Sequence, residues 1–100
     1  MGLDRDAILE ALRRVYDPEI PVDIVNLGLI YEVAIEDGKV RVKMTTTAPG
    51  CPVGAFIAAE AERAIREIEG VEDVEVQLVY DPPWNPDRIS EAGKRMLGWG

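Results

Sequence analysis

The fold is decided by an alternating segment, residues 29–44, with the sequence LIYEVAIEDGKVRVKM. Apolar residues recur at every second position in both halves of this segment, which predicts two half-buried strands. The predicted inward residues are Tyr31, Val33 and Ile35 in the first strand and Val40, Val42 and Met44 in the second. Between the halves, Asp37-Gly38 is typical of a two-residue type I′ turn. The segment therefore predicts an antiparallel β-hairpin.

Helical patterns flank the hairpin on both sides. Before it, Asp4 is a predicted N-cap for a helix running to about Tyr16, and the nearby prolines Pro18 and Pro21 prevent its continuation. The predicted buried stripe of this helix consists of Ile8, Leu9, Leu12, Val15 and Tyr16. After the hairpin, a second helix is predicted from Pro52 to about Glu69, where Gly70 ends it. Its predicted buried stripe consists of Val53, Phe56, Ile57, Ala61, Ile65 and Ile68.

The remaining elements complete a single α+β domain spanning residues 1–100. Residues 74–80 alternate and predict a third strand, and residues 87–97 predict a short terminal helix. The predicted order is α-β-β-α-β with a short C-terminal helix. We expect two layers, a three-stranded sheet with the helices packed on one face.

Composition excludes several classes of protein. The net charge of −8 argues against a nucleic-acid-binding protein, which needs a basic face. No apolar run is long enough to span a bilayer, and the first residues lack the pattern of a signal peptide, so we expect a cytoplasmic protein without membrane association. The excess of arginine over lysine and the scarcity of asparagine and glutamine are typical of a thermophile.

The chain contains no histidine and a single cysteine, Cys51. It therefore lacks an internal disulfide, a Cys-His dyad, a Ser-His-Asp triad and any histidine-dependent metal site within one chain. For this reason we expect a protein that is not an enzyme. A thiol enzyme with a carboxylate as its base is the weaker alternative.

Cys51 is the strongest candidate for a functional residue. It precedes Pro52, and since proline favours the first position of a helix, Cys51 is the predicted N-cap. The unpaired N–H groups and partial positive charge at a helix N-terminus stabilise a thiolate, the form that ligates metals. The alternative is a small buried hydrophobic residue, which is the usual role of a free cysteine.

Five other residues are candidates for supporting roles. Asp17 and Glu19 flank Pro18 at the end of the first predicted helix. Either at least one of their carboxylates lies near Cys51, or both residues only stabilise a turn and remain solvated. Thr47, four residues before Cys51, offers a hydroxyl. Asn26 is expected to fix the loop before the hairpin by hydrogen bonding. Trp84, in a proline-rich turn, either covers the edge of the core or anchors a partner.

These segments together resemble the metal–sulfur cluster biosynthesis family, which includes SufT-like and PaaD-like proteins. The resemblance covers about residues 4–90 and depends on four motifs in order. They are Asp17-Pro18-Glu19, the segment Val25–Tyr31, Gly50-Cys51-Pro52 after a threonine-rich strand end, and Asp81-Pro82-Pro83-Trp84. Members often carry two threonines before the cysteine, whereas this chain has Thr47 followed by Ala48.

The resemblance implies assembly or maturation of iron–sulfur clusters, with Cys51 as the functional, metal-ligating thiol and Asp17 and Glu19 near it. A cluster normally takes four protein ligands, so a monomer with one thiol holds none firmly. Three arrangements stay open: a homodimer sharing a cluster, a carrier or client protein supplying the other ligands, or docking without ligation. We hypothesise transient ligation of iron or a cluster by Cys51.

Two further functions remain as alternatives. The resemblance to PaaD-like proteins also implies an accessory component of a multicomponent ring-hydroxylating oxygenase. A protein-interaction module with an inert thiol, binding through Trp84, is the other alternative. Accessibility of the Cys51 thiol to an alkylating reagent distinguishes the interaction module from the maturation factor.

Overall fold

The computed structural model describes residues 3–18, 20–47 and 53–98. The helices are α1 (Arg5–Leu12), α2 (Gly54–Arg66) and α3 (Glu91–Met96), and the strands are β1 (Ile30–Glu36), β2 (Lys39–Met44) and β3 (Asp73–Leu78). A turn of 3₁₀ helix, Pro86–Arg88, precedes α3. This order confirms the predicted α+β class, with α1 and α2 on one face of the sheet.

The three strands form one sheet in the order β1-β2-β3. β1 and β2 are antiparallel, and β2 and β3 are parallel because α2 carries the chain back across the sheet. Asp37 (φ 50°) and Gly38 (φ 81°) both have positive φ, as the predicted type I′ turn requires. The hairpin is therefore confirmed.

The core lies between the sheet and the two long helices. From the sheet, Val40, Val42 and Met44 on the central strand are fully buried. The helices and the loop before β1 contribute a further set of apolar side chains with almost no exposed surface: Ile8, Leu12, Val22, Ile24, Leu27, Leu29, Ile57, Ala61 and Ile65. The link between α1 and β1 is thus part of the core.

The first helix is shorter than the sequence predicts. α1 begins after Asp4, whose carboxylate accepts a hydrogen bond from the Ala7 N–H (2.8 Å), but it ends at Leu12. Tyr16 instead forms a β-bridge with Asp23 and is half exposed, so its predicted place on the buried stripe is wrong. The chain leaves the helix early because Ile24 N–H pairs with the Val15 carbonyl.

Tyr31 also departs from the predicted alternation. The pairing of β1 with β2 shifts register between Ile30 and Glu32, which is a β-bulge at Tyr31. Ile30 therefore packs against the core in its place. The Tyr31 hydroxyl donates a hydrogen bond to the Pro82 carbonyl (2.8 Å).

The second helix differs at its start and on its surface. α2 begins at Gly54 with Val53 as its N-cap, so the predicted N-cap position of Cys51 is wrong by two residues. At this start Gly54 packs closely against Thr46, since a Cβ on Gly54 would lie 3.1 Å from Thr46 Cγ2. The prediction that Phe56 is buried is also wrong. It lies two and a half turns before Ile65, on the opposite side of the helix, and is 57% exposed.

The C-terminal segment folds back over the loop before β1. We call this contact the brace, formed by residues 23–31 of the loop and residues 82–93 of the C-terminal segment. Its hydrogen bonds join Trp84 to Leu27, Ser90 to Asn26 and Tyr31 to Pro82. The predicted terminal helix is present as the 3₁₀ turn and α3, with Ser90 as the N-cap of α3.

Candidate functional site

Cys51 and Glu19 lie outside the described residues, so the site is built from its described borders. Cys51 belongs to the five-residue connection between Thr47 and Val53, which joins the end of β2 to the start of α2. Around these borders, Thr45 and Thr46 are buried and Thr47 is half-buried. The two ends of the connection are held together by the contact between Thr46 and Gly54.

The start of α2 lacks a side-chain cap from its N-cap residue. Its N-cap, Val53, has no side-chain group that accepts a hydrogen bond, and no acidic residue occupies the first turn. In this respect α2 differs from α1 and α3, which are capped by Asp4 and Ser90. A helix N-terminus without such a cap favours a negatively charged group nearby.

Asp17 lies in a loop that is tied to the end of β2. Three backbone hydrogen bonds connect them in series: Thr45 N–H to Leu29 O (2.8 Å), Leu29 N–H to Ile24 O (3.1 Å), and Ile24 N–H to Val15 O (2.9 Å). Asp17, two residues after Val15, is only 5% exposed, and its Oδ1 accepts a hydrogen bond from Ile20 N–H at 3.3 Å. The acidic loop and the threonine-rich strand end thus belong to one hydrogen-bonded layer.

Asn26 has the structural role that the sequence predicts. Its Nδ2 donates to Asp23 Oδ1 (2.7 Å), and its Oδ1 accepts from Ser90 Oγ (2.6 Å). Asp23 also accepts from the N–H groups of Val25 (3.1 Å) and Asn26 (3.0 Å), so this buried carboxylate organises the turn. The sequence analysis missed Asp23 and Ser90. The Asp-x-x-Asn spacing is a signal for the first, but Ser90 is brought in from a distant part of the chain.

Trp84 is part of the brace. Its Nε1 donates a hydrogen bond to the Leu27 carbonyl (2.7 Å), and its ring packs against the core. This is the position expected if Trp84 covers the edge of the core. Asn26 and Trp84 thus meet on one loop, whereas Thr47 borders the connection that carries Cys51. A role of Trp84 in partner binding stays a prediction.

The described residues contain neither a clustered metal site nor a membrane-spanning helix. Within residues 3–18, 20–47 and 53–98, no three side chains of the His, Cys, Asp and Glu types come together to hold a metal ion. In the same part of the chain, no helix has both the length and the apolar character needed to cross a membrane.

Comparison with known proteins now identifies the family. A family model described as "iron-sulfur cluster assembly protein" matches residues 5–78, which include α1, the hairpin, α2 and β3. The chain belongs to the iron–sulfur cluster assembly protein family. The resemblance seen in the sequence is thereby confirmed.

Curated relatives extend this assignment over nearly the whole chain. The Fe-S protein maturation auxiliary factor YitW of Bacillus subtilis is 44% identical over 95 residues, covering 94% of this chain and 93% of the relative. The Fe-S protein maturation auxiliary factor SufT of Staphylococcus aureus is 45% identical over 85 residues, covering 84% and 97%. Both relatives are named as maturation factors.

A solved structure supports the fold independently. The crystal structure of a domain of unknown function from Bacillus anthracis superposes with a TM-score of 0.87 at 38% identity, covering 93% of this chain and 90% of that chain. The three-stranded mixed sheet with its helices is therefore the fold of this family of domains.

Proposed function

We propose that this protein is a maturation factor for iron–sulfur proteins, in which Cys51 ligates iron or a cluster in transit. The observation that carries the proposal is the position of the only thiol of the chain in the sequence. It lies in the connection between a buried strand end and a helix whose N-cap, Val53, provides no side-chain cap. The names of the similar Bacillus and Staphylococcus proteins support the same function.

The ligand inventory explains why the binding is transient. An iron–sulfur cluster normally takes four protein ligands, mostly thiolates, and this chain supplies one thiol and no imidazole. The thiolates that this chain lacks must come from another chain, either a carrier or client protein or a second copy. An incomplete site releases its cargo more readily than a closed one, which suits a factor that passes a cluster on.

The start of α2 supports thiolate chemistry at Cys51. Cys51 precedes Gly54 by three residues, and the first N–H groups of α2 have no side-chain cap from Val53. These N–H groups and the helix dipole lower the free energy of an anion close to them. Such a setting favours the deprotonated form of a cysteine.

Asp17 is proposed as a supporting carboxylate, with Glu19 as a second. Asp17 is buried, and its loop is joined through Val15, Ile24 and Leu29 to the end of β2. A buried aspartate at this position supplies an oxygen ligand for iron or accepts a hydrogen bond from a protonated partner. Thr47 offers a hydroxyl on the opposite border.

Anaerobic reconstitution with iron and sulfide tests the proposal. We expect iron and sulfide to bind at less than one cluster per chain. The bound form should show a thiolate-to-iron charge-transfer absorption band, and Cys51→Ala should abolish this band. Mass measurement on the same sample distinguishes a cluster shared by two copies from one held on a single chain. Retention of the same iron content and absorption by Cys51→Ala would contradict ligation by this thiol.

Two aspartates of one loop provide a matched control. Asp17→Asn is expected to lower iron binding, whereas Asp23→Asn removes a carboxylate whose partners are all within its own turn. Asp23→Asn therefore lowers stability without lowering the iron bound by the folded protein. If both variants bind iron like the wild type, Asp17 has no role in the site.

A further inference from the structure

The longest uncharged part of the sequence coincides with an exposed apolar surface. No charged residue occurs between Lys43 and Glu60, although 30% of the chain is charged. This stretch includes the first half of α2, where Ala55, Phe56 and Ala59 are all exposed. The second half of the same helix instead exposes charged groups, among them Arg63 and Arg66.

Phe56 is the most exposed large hydrophobic residue among those the structure describes. It is 57% exposed and points away from the sheet, so the core gains little from it. Tyr80 adds a second exposed aromatic ring, at 38%, and its hydroxyl lies 3.7 Å from the position of a Cβ on Gly54. Ala55, Phe56 and Ala59 share one face of α2, whereas Tyr80 lies beside Gly54 on the other side of the same helix start, and we call the four residues together the apex patch. It borders the connection that carries Cys51.

An exposed, uncharged helix face that carries an aromatic side chain is typical of a binding surface. Soluble proteins rarely keep a contiguous apolar patch in water unless it is used, and aromatic side chains dominate the energetics of protein interfaces. The alternative explanation is an ordinary solvent-exposed helix face without a binding role. Such a face carries charged or polar residues at its exposed positions, as the second half of α2 does. The split of α2 into an uncharged and a charged half argues against that explanation.

The negative net charge of the protein favours a positively charged partner. Each copy carries a net charge of −8, so two copies repel one another as they approach. At the borders of the patch, Glu60 is paired with Arg63 (3.6 Å), while Asp81 beside Tyr80 has no ion pair within the described part of the chain. A partner with basic residues around an apolar contact complements both features.

We propose that the apex patch is the docking surface for a protein that exchanges iron or clusters with Cys51, and that this partner presents an apolar contact rimmed by lysine and arginine. The inference rests on the proposed function and assigns the surface through which it operates. Docking at the start of α2 brings the ligands of the partner to the connection that carries Cys51 in the sequence. It also removes Phe56 from water.

The test compares variants in cells whose own copy of the gene is deleted, with the activity of iron–sulfur enzymes in extracts as the readout. Phe56→Glu is expected to lower that activity about tenfold, the scale of one lost aromatic anchor. Phe56→Leu is expected to retain most of it. Asp81→Lys is expected to lower it severalfold, because it reverses the charge that faces a basic partner.

Met96→Glu is the matched control. Met96 is 51% exposed on α3, so it is a similarly exposed apolar residue in another part of the surface, and its variant is expected to behave like the wild type. Full activity of Phe56→Glu would overturn the docking surface. A wild-type chain that sediments as a dimer and becomes monomeric on Phe56→Glu would also overturn it, because the patch would then hold a second copy.

Cys51→Ala in the same assay separates the two proposals. If Cys51→Ala loses activity and Phe56→Glu keeps it, the maturation function stands and only the docking surface is wrong. If Cys51→Ala keeps activity and Phe56→Glu loses it, the patch is a docking surface but the thiol is not the group it serves.

Discussion

The brace and the apex patch solve opposite problems within one small domain. In the brace, side chains far apart in sequence are joined by hydrogen bonds of 2.6–2.8 Å, as in Trp84 to Leu27 and Ser90 to Asn26. At the apex, Phe56 and Tyr80 leave much of their surface in water, and Val53, the N-cap of α2, gives the helix no side-chain cap. The comparison indicates that long-range hydrogen bonds are concentrated in the brace, whereas the apex is the region to which we assign docking by proposal.

The largest effect on stability is expected at Gly28 in the brace. Gly28 has φ +77°, and a Cβ there would lie 2.3 Å from the carbonyl oxygen of Arg88, which is backbone and cannot move aside. Gly28→Ala is expected to lower the free energy of unfolding by about 3 kcal/mol, from backbone strain plus this clash. Denaturant unfolding measures the change.

Gly70→Ala is the control for that measurement. Gly70 also has positive φ (+98°), but a Cβ there would meet nothing within 4 Å. Gly70→Ala should therefore lower the free energy of unfolding only by the strain of an alanine at positive φ, about 1 kcal/mol. Equal costs at the two glycines would show that the brace does not hold residue 88 against the loop.

The next largest effect is expected at Ser90. Its hydroxyl accepts from Gly93 N–H (3.0 Å) as the N-cap of α3 and donates to Asn26 Oδ1 (2.6 Å). Ser90→Ala loses both interactions and should cost about 2 kcal/mol. A double-mutant cycle with Asn26→Ala should give a coupling free energy of about 1 kcal/mol, and a value near zero would mean that the two side chains act independently.

A smaller effect is expected for Trp84→Phe. This change keeps an aromatic ring but removes the donor to the carbonyl of Leu27, a residue that is fully buried. An unsatisfied buried carbonyl costs about 1–2 kcal/mol. Thermal unfolding checks the prediction. A stability equal to that of the wild type would mean that the hydrogen bond from Trp84 to Leu27 does not contribute to the stability of the brace.

The smallest effect on stability is expected at the apex. Phe56→Ser exposes no core surface, since the side chain is already 57% exposed, and it should change the free energy of unfolding by less than about 0.5 kcal/mol. Denaturant unfolding of Phe56→Ser measures how much the apex contributes to stability relative to the brace. A cost similar to that of Ser90→Ala would mean that Phe56 is a structural residue and that the two regions do not differ.

The sequence was sufficient for features that depend on local signals. The Asp37-Gly38 turn, the inward residues of β2 and the cap Asp4 were all predicted, because two-residue periodicity and short-range hydrogen bonding determine them. The fold class follows from the order of these elements. The family is predicted by four motifs and is confirmed by the match over residues 5–78.

Other features depend on contacts that no local pattern encodes. The end of α1 at Leu12 is set by pairing of Val15 with Ile24, and the roles of Ser90 and Trp84 depend on partners 57 or more residues away. Phe56 precedes the buried Ile57 by one position on α2, and this spacing is compatible with Phe56 lying either within or beyond the edge of the buried face. Only the packed structure shows that its side chain is exposed to solvent. The roles of Cys51, Asp17, Glu19 and Thr47 in the candidate site stay predictions, whereas the hydrogen-bonded surroundings of Asn26 are known only from the structure.

We propose that the function of this protein depends on the thiol of Cys51, whereas the stability of the fold does not. The most direct measurement is iron–sulfur enzyme activity in cells that carry only Cys51→Ala, together with the free energy of unfolding of the purified variant. The account predicts that activity falls to the level of the deletion while stability stays within about 0.5 kcal/mol of the wild type. Wild-type activity in those cells would contradict it.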